Sequence, residues 1–121
     1  MGNNAIVVWT EVPVTDMEKS VAFYNDVFGY QMVIDNSGPN PMANFGTDMN
    51  AVGGHIYPGK PAADGGNTIH LAVPDTLEAA MERCTAAGGA VVSPVITIPP
   101  GRFAYAKDLD GNSLGLFEPA K

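Results

Sequence analysis

Residues 9–29 read WTEVPVTDMEKSVAFYNDVFG and residues 68–88 read TIHLAVPDTLEAAMERCTAAG, and the second stretch restates the first. At a constant offset of about 59 residues, Asp16 falls on Asp75, Val14 on Val73, Ala22 on Met81 and Gly29 on Gly88. Each copy runs strand, polar turn, amphipathic helix, glycine, apolar strand. A lone βα unit leaves one sheet face uncovered, so two copies are expected to bury their apolar faces together. The repeat also predicts where function sits, in the concavity or seam between the copies.

Local chemistry extends this pattern along the chain. Ala5–Val14 is rich in Val, Ile and Trp and reads as a strand. Thr15 or Asp16 then caps a helix whose Val21, Phe23, Tyr24, Val27 and Phe28 make one apolar stripe, ended by Gly29. Tyr30–Asp35 is expected to be a strand, and NSGPNP at residues 36–41 is turn chemistry. Met42–Thr47 and Val52–Tyr57 read as further strands joined by a turn at residues 48–50. PGKPAADGGN, residues 58–67, is the one credible linker. In the second copy Thr68–Val73 is a strand, Asp75 caps a helix reaching Ala87, and Gly88-Gly89 stops it. Ala90–Val95, Arg102–Lys107 and Ser113–Glu118 are the remaining strands, with turns at Pro99-Pro100-Gly101 and at DLDGN, Asp108–Asn112. The architecture expected is α+β, βαβββ–βαβββ, in one domain spanning residues 1–121. Module 1 covers residues 5–57, the linker 58–67 and module 2 residues 68–118.

Composition excludes several classes of function. The formal charge is −7 with only six Lys and Arg, and no basic cluster occurs. A phosphate backbone or anionic lipid surface would be repelled, so neither nucleic acid nor membrane is an expected partner. Apolar runs are strand-length, too short for a membrane span. Residues 1–9 lack the basic region and apolar stretch of a secretory signal, and the single cysteine, Cys84, has no disulfide partner. A cytoplasmic location is the expectation. Cys84 lies mid-helix among small residues, which favours packing over nucleophilic work. No glycine-rich phosphate loop follows a strand, and DLDGN is too short for an EF-hand.

Three stretches carry a resemblance: VTDMEKSVAFYNDVFGY (14–30), VPDTLEAAMERCTAAGGAVV (73–92) and GRFAYAKDLDGNSLGLFEP (101–119). In this order they resemble the vicinal oxygen chelate superfamily, which includes glyoxalase, extradiol dioxygenases and bleomycin-resistance proteins. The resemblance implies the glyoxalase/bleomycin-resistance/dioxygenase-like fold with a concave mixed sheet, and a homodimer. It also implies where a divalent metal would be held in members that use one. A His or Gln stands seven residues before each strand-ending Asp, and a Glu stands four after the last turn glycine. Here those positions are Trp9, Thr68 and Gly115, the fourth being His55 or Gly54. An indole offers no lone pair and glycine no side chain, so no cofactor is expected.

Glu11 and His70 are repeat-equivalent, each five residues before its helix-start Asp and two along from a usual ligand position. In a strand, residues two apart share a face. Glu11 and His70 are therefore the candidate catalytic pair, a carboxylate with an imidazole base. With His55 they form the alternative metal set, for Zn, Ni, Mn or Fe. Candidate ligand-binding residues are Trp9, Phe45, His55, Arg102, Tyr105 and Phe117, with Tyr57 also on a strand. Trp9 would stack on a flat ligand or fill the volume a metal would take. Arg102 would clamp a carboxylate or stand exposed at an edge. Three functions stay open. The first is metal-free binding of a small aromatic or cationic molecule in the cleft. The second is a lyase-, isomerase- or dioxygenase-like enzyme using Glu11 and His70. The third is a structural role.

Overall fold

A computed structural model describes residues 6–46 and 52–121. Its elements in chain order are β1 (Trp9–Val14), α1 (Met17–Phe28), β2 (Ala43–Asn44), β3 (Gly53–Pro58) and β4 (Ile69–Ala72). There follow α2 (Leu77–Ala86), β5 (Ala90–Val91), β6 (Ile96–Ile98), β7 (Gly101–Lys107) and β8 (Ser113–Pro119). Module 1 forms a three-stranded sheet in the order β1-β3-β2, and module 2 a five-stranded sheet. In each, the first strand lies parallel to the last: β1 on β3 with Glu11 opposite His55, β4 on β8 with His70 opposite Gly115. β2 runs antiparallel to β3 and β7 antiparallel to β8, while β5 and β6 share the far edge of β7. The wiring is thus duplicated as the sequence repeat predicts.

Alternation along the strands decides which face meets the helices. Val12, Val14, Ile56, Ala104, Leu114 and Leu116 are buried and point to the helix side. Phe23, Tyr24, Val27 and Phe28 of α1 and Leu77, Ala80 and Cys84 of α2 close over them, and the helices pack against each other. One apolar cluster therefore spans both modules. Asp16 caps α1 by accepting the Lys19 amide at 3.0 Å, and Gly29 closes it at φ 72°, a left-handed geometry. Cys84 lies fully buried in the cluster, and burial, with the nearby Asp108 charge second, pushes its thiol up to about 11. Packing is its role.

The turn read as DLDGN also fastens the modules. Asp108 is buried and accepts the amides of Asp110 and Asn112, the Asn112 side chain and, at 2.7 Å, the Tyr24 hydroxyl of α1. Asp110 accepts the Thr15 amide and hydroxyl, and Asn112 Nδ2 donates to the Pro13 carbonyl. Burial above all, and Asp108 next, hold the Tyr24 hydroxyl protonated well beyond its ordinary range.

Four local expectations need correction. Tyr30–Asp35 is not a strand beyond one bridge, Asp35 to Met42. The Asn25 side chain takes both backbone groups of Met32, accepting its N–H at 2.9 Å and donating to its carbonyl, and so replaces a ladder partner. Ala90–Val95 shortens to Ala90–Val91, and Ile96–Ile98 instead hairpins onto β7 around Pro99-Pro100. The α2 cap is Thr76, whose Oγ1 accepts the Ala79 amide, because Asp75 is engaged bidentately by Arg83. The strand expected over Met42–Thr47 is two residues long, Ala43–Asn44. Thr47 and the turn at residues 48–50 lie outside the described residues, as does Ala5.

Candidate functional site

The sheet faces turned away from the helices carry the candidate residues in two groups. On module 1, Trp9 and Glu11 of β1 stand beside His55 and Tyr57 of β3. Trp9 Nε1 donates to His55 Nδ1 at 3.0 Å, so the proton of the neutral imidazole sits on Nε2. Nε2 in turn lies 3.5 Å from Glu11 Oε2. The Tyr57 ring meets the imidazole edge-on at 6.1 Å. His55 is only 7% exposed, whereas the Glu11 side chain is 65% exposed and Trp9 45%. Both nitrogens of His55 are thus taken up by its own chain, while the carboxylate beside it remains open.

On module 2 the sheet register builds a different surface. His70, Gly115 and Tyr105 form one row across β4, β8 and β7, and Ala72, Phe117 and Phe103 form the next. The His70 ring leans over Gly115 and meets Phe103, Tyr105 and Phe117 at 5.1, 6.0 and 6.3 Å, all at steep angles. Phe103 and Tyr105 also meet edge-to-face. His70 is exposed, and its imidazole makes no hydrogen bond among the described residues.

The register settles the fourth metal position raised by the family resemblance. Glu11 opposite His55 matches His70 opposite Gly115, so His55, not Gly54, is the counterpart of Gly115. The four positions then hold Trp9, His55, Thr68 and Gly115. Trp9 and His55 are bonded to each other, and the Thr68 hydroxyl to that of Ser113. One imidazole without a carboxylate is not a donor set for a divalent ion, and these residues do not fit the family's metal centre. The alternative set is divided: Glu11 and His55 touch on module 1, while His70 stands on the other sheet. Among the described residues no three His, Cys, Asp or Glu side chains converge. Glu11 finds its imidazole in His55 rather than in the expected catalytic partner, His70.

Two ligand candidates lie elsewhere. Phe45 is buried in the core, between the Tyr24 and Tyr30 rings. Arg102 points to the helix side of β7, where its fork holds both Glu78 oxygens at 2.8 and 2.9 Å and also Glu118. That bonding holds the Glu78 carboxyl down at about 2. Phe103 was missed as a site residue, and Gly115 was named only as a ligand position that glycine leaves without a donor. Phe103 was legible, because alternation in β7 puts it on the face of Tyr105. Glu11 also lines a cavity of about 190 Å³ along the seam between the modules, with Thr10, Pro13, Asn67, Ile69 and Ser113.

The comparisons with known proteins agree with this fold. A glyoxylase-like domain-containing protein from Didymella fabae is 30% identical over 112 residues, 85% of each chain. A glyoxalase/bleomycin resistance protein from Albidiferax ferrireducens superposes with a TM-score of 0.73 at 21% identity, covering 96% of this chain and all of that one. An antibiotic binding protein from a Streptomyces species gives 0.66 at 26% identity, over 98% of both chains. Residues 6–116 match the profile of the Glyoxalase/Bleomycin resistance protein/Dioxygenase superfamily, and the chain belongs to that family.

Proposed function

We propose that the protein binds a small aromatic or cationic molecule at the open faces flanking its inter-module seam, without the divalent ion used by other members of its family. The observation that carries this reading is the aromatic surface on the sheet faces turned away from the helices. Exposed Trp9 stands on one sheet, and exposed His70 and Tyr105 on the other, over half-buried Phe117 and buried Phe103. Aromatic walls suit flat apolar ligands, and the exposed Glu11 carboxylate with a net charge of −7 suits a cation. The likeness to a Streptomyces antibiotic binding protein supports the same reading. A homodimer in the cytoplasm is the setting we propose. No helix among the described residues is long and apolar enough to cross a membrane.

Trp9, the sole tryptophan, is the built-in reporter. Titration with a panel of flat neutral and cationic aromatics is expected to quench it saturably, while Zn²⁺, Ni²⁺, Mn²⁺ and Fe²⁺ leave the melting temperature unchanged. Absence of any saturable quench would end the binding reading. Stoichiometric metal that is lost in Glu11→Ala or His55→Ala would end the metal-free part of it.

A second reading, a lyase-, isomerase- or dioxygenase-like enzyme, is favoured by one observation, the Glu11 carboxylate 3.5 Å from His55 Nε2. In that case Glu11→Gln abolishes turnover of a candidate substrate and leaves folding and ligand affinity nearly intact.

A further inference from the structure

Gly115 has no conformational reason to be glycine. It sits in the middle of β8, paired on both sides, with no left-handed backbone angle, and glycine weakens a strand interior. Space is the reason. A Cβ at 115 would fall 2.1 Å from His70 Nδ1, 2.5 Å from its Cε1 and 2.7 Å from its Cγ. The missing side chain is what lets the imidazole lie across the sheet. Around it Phe103, Tyr105 and Phe117 stand edge-on and hem the ring into that berth.

The two repeat-related imidazole sites are therefore unequal. His55 is buried, with Trp9 on one nitrogen and Glu11 beside the other. His70 is exposed, held in place by apolar contacts alone, with no hydrogen bond among the described residues. A neutral imidazole offers one donor and one acceptor in the plane of its ring. Aromatic side chains on either side add stacking surface without charge.

We propose that Gly115 and His70 together select the ligand. Glycine at 115 seats the imidazole, and the imidazole, itself held among Phe103, Tyr105 and Phe117, hydrogen-bonds the rim of a planar heteroaromatic molecule that lies against the exposed Tyr105 ring. This rests on the small-molecule reading above and assigns its polar contact to His70 rather than to His55. The ligand class is a flat fused-ring compound with an in-plane N–H or carbonyl, and acridone, which has both, is the probe.

Acridone fluorescence reports binding to the full chain, with circular dichroism and sedimentation as controls. Wild type is expected to bind saturably. His70→Phe keeps a ring and removes both nitrogens, and affinity should drop roughly three- to tenfold, the worth of one hydrogen bond. Gly115→Ala should fold normally, since His70 can swing off the edge strand, yet lose at least as much affinity because the berth is filled. Saturable binding of acridone, equal in wild type and both variants, would overturn this proposal and leave the small-molecule reading standing. No binding of acridone to wild type would overturn this proposal, and no saturable quench by any member of the aromatic panel would overturn the small-molecule reading with it. A variant that shifts the monomer–dimer equilibrium without changing acridone affinity would make this face a contact between copies of the chain, and the proposal would fall.

Discussion

Arg102 holds two carboxylates at once. Its guanidinium is bidentate on Glu78 and also meets Glu118, whose Oε1 accepts the Leu77 amide at the start of α2. The Arg102 hydrogen bonds keep Glu78 at about 2, and the Leu77 amide first, then Arg102, keep Glu118 below its usual range. Asp75 is lowered in the same way by Arg83. A carboxyl group lowered in the folded state adds stability above its unfolded value, near 4.5 for Glu, and loses it as pH falls toward the folded value. The melting temperature should therefore fall between about pH 5 and about pH 2, and Arg102→Leu should flatten that decline. Identical slopes in wild type and variant would show that Arg102 does not set the acid limit. The fork chemistry of Arg102 was legible in the sequence. Its recipient was not, because Glu78 lies 24 positions away on a helix whose packing over β7 no local pattern specifies.

Capping and strand formation differ in how far local residues decide them. α1 is bounded by an Asp side chain on the Lys19 amide and by a glycine at positive φ, both nearest-neighbour effects, and it was readable to within a residue. Asp16→Ala should cost about 1 kcal/mol in urea unfolding, the usual worth of an N-cap. Asp16→Asn should cost much less, since Asn accepts the same bond; equal losses would mean that charge rather than the hydrogen bond is at work. Strands depend on a partner, and there the reading was weaker. Tyr30–Asp35 has strand-forming residues, but Asn25 satisfies Met32 before any neighbour does. Ile96–Ile98 pairs because the two prolines after it turn the chain onto β7. The same dependence explains the site. Glu11 and His70 were placed by alternation from the positions of Trp9 and Thr68, which the family resemblance supplies, and Tyr105 and Phe117 only as aromatics on strands. The Glu11–His55 contact and the His70 berth needed the register of β1 on β3 and of β4 on β8.

The two modules are joined more tightly than a ten-residue linker requires. Their helices share one core, and the β7–β8 turn reaches across to Thr15, Tyr24 and Pro13. Asp108 is the centre of this clasp, a buried carboxylate whose two oxygens accept four hydrogen bonds. Removing it strands the Tyr24 hydroxyl and two backbone amides in the interior, whereas removing the hydroxyl alone leaves Asp108 three of its donors. Leaving buried polar groups unpaired costs about 1–3 kcal/mol each, and losing one partner of a charged hydrogen bond about 1.5–3. Asp108→Ala should therefore destabilise far more than Tyr24→Phe. The double variant should lose clearly less than the sum, because Tyr24→Phe removes one of the groups that Asp108→Ala leaves unpaired. The shared core adds a second expectation: wild type and variants should unfold in urea as one transition with an unchanged slope, because neither module closes its apolar face alone. Additive losses, or a shoulder that separates in Asp108→Ala, would show that each module stands by itself and that the turn only decorates the junction.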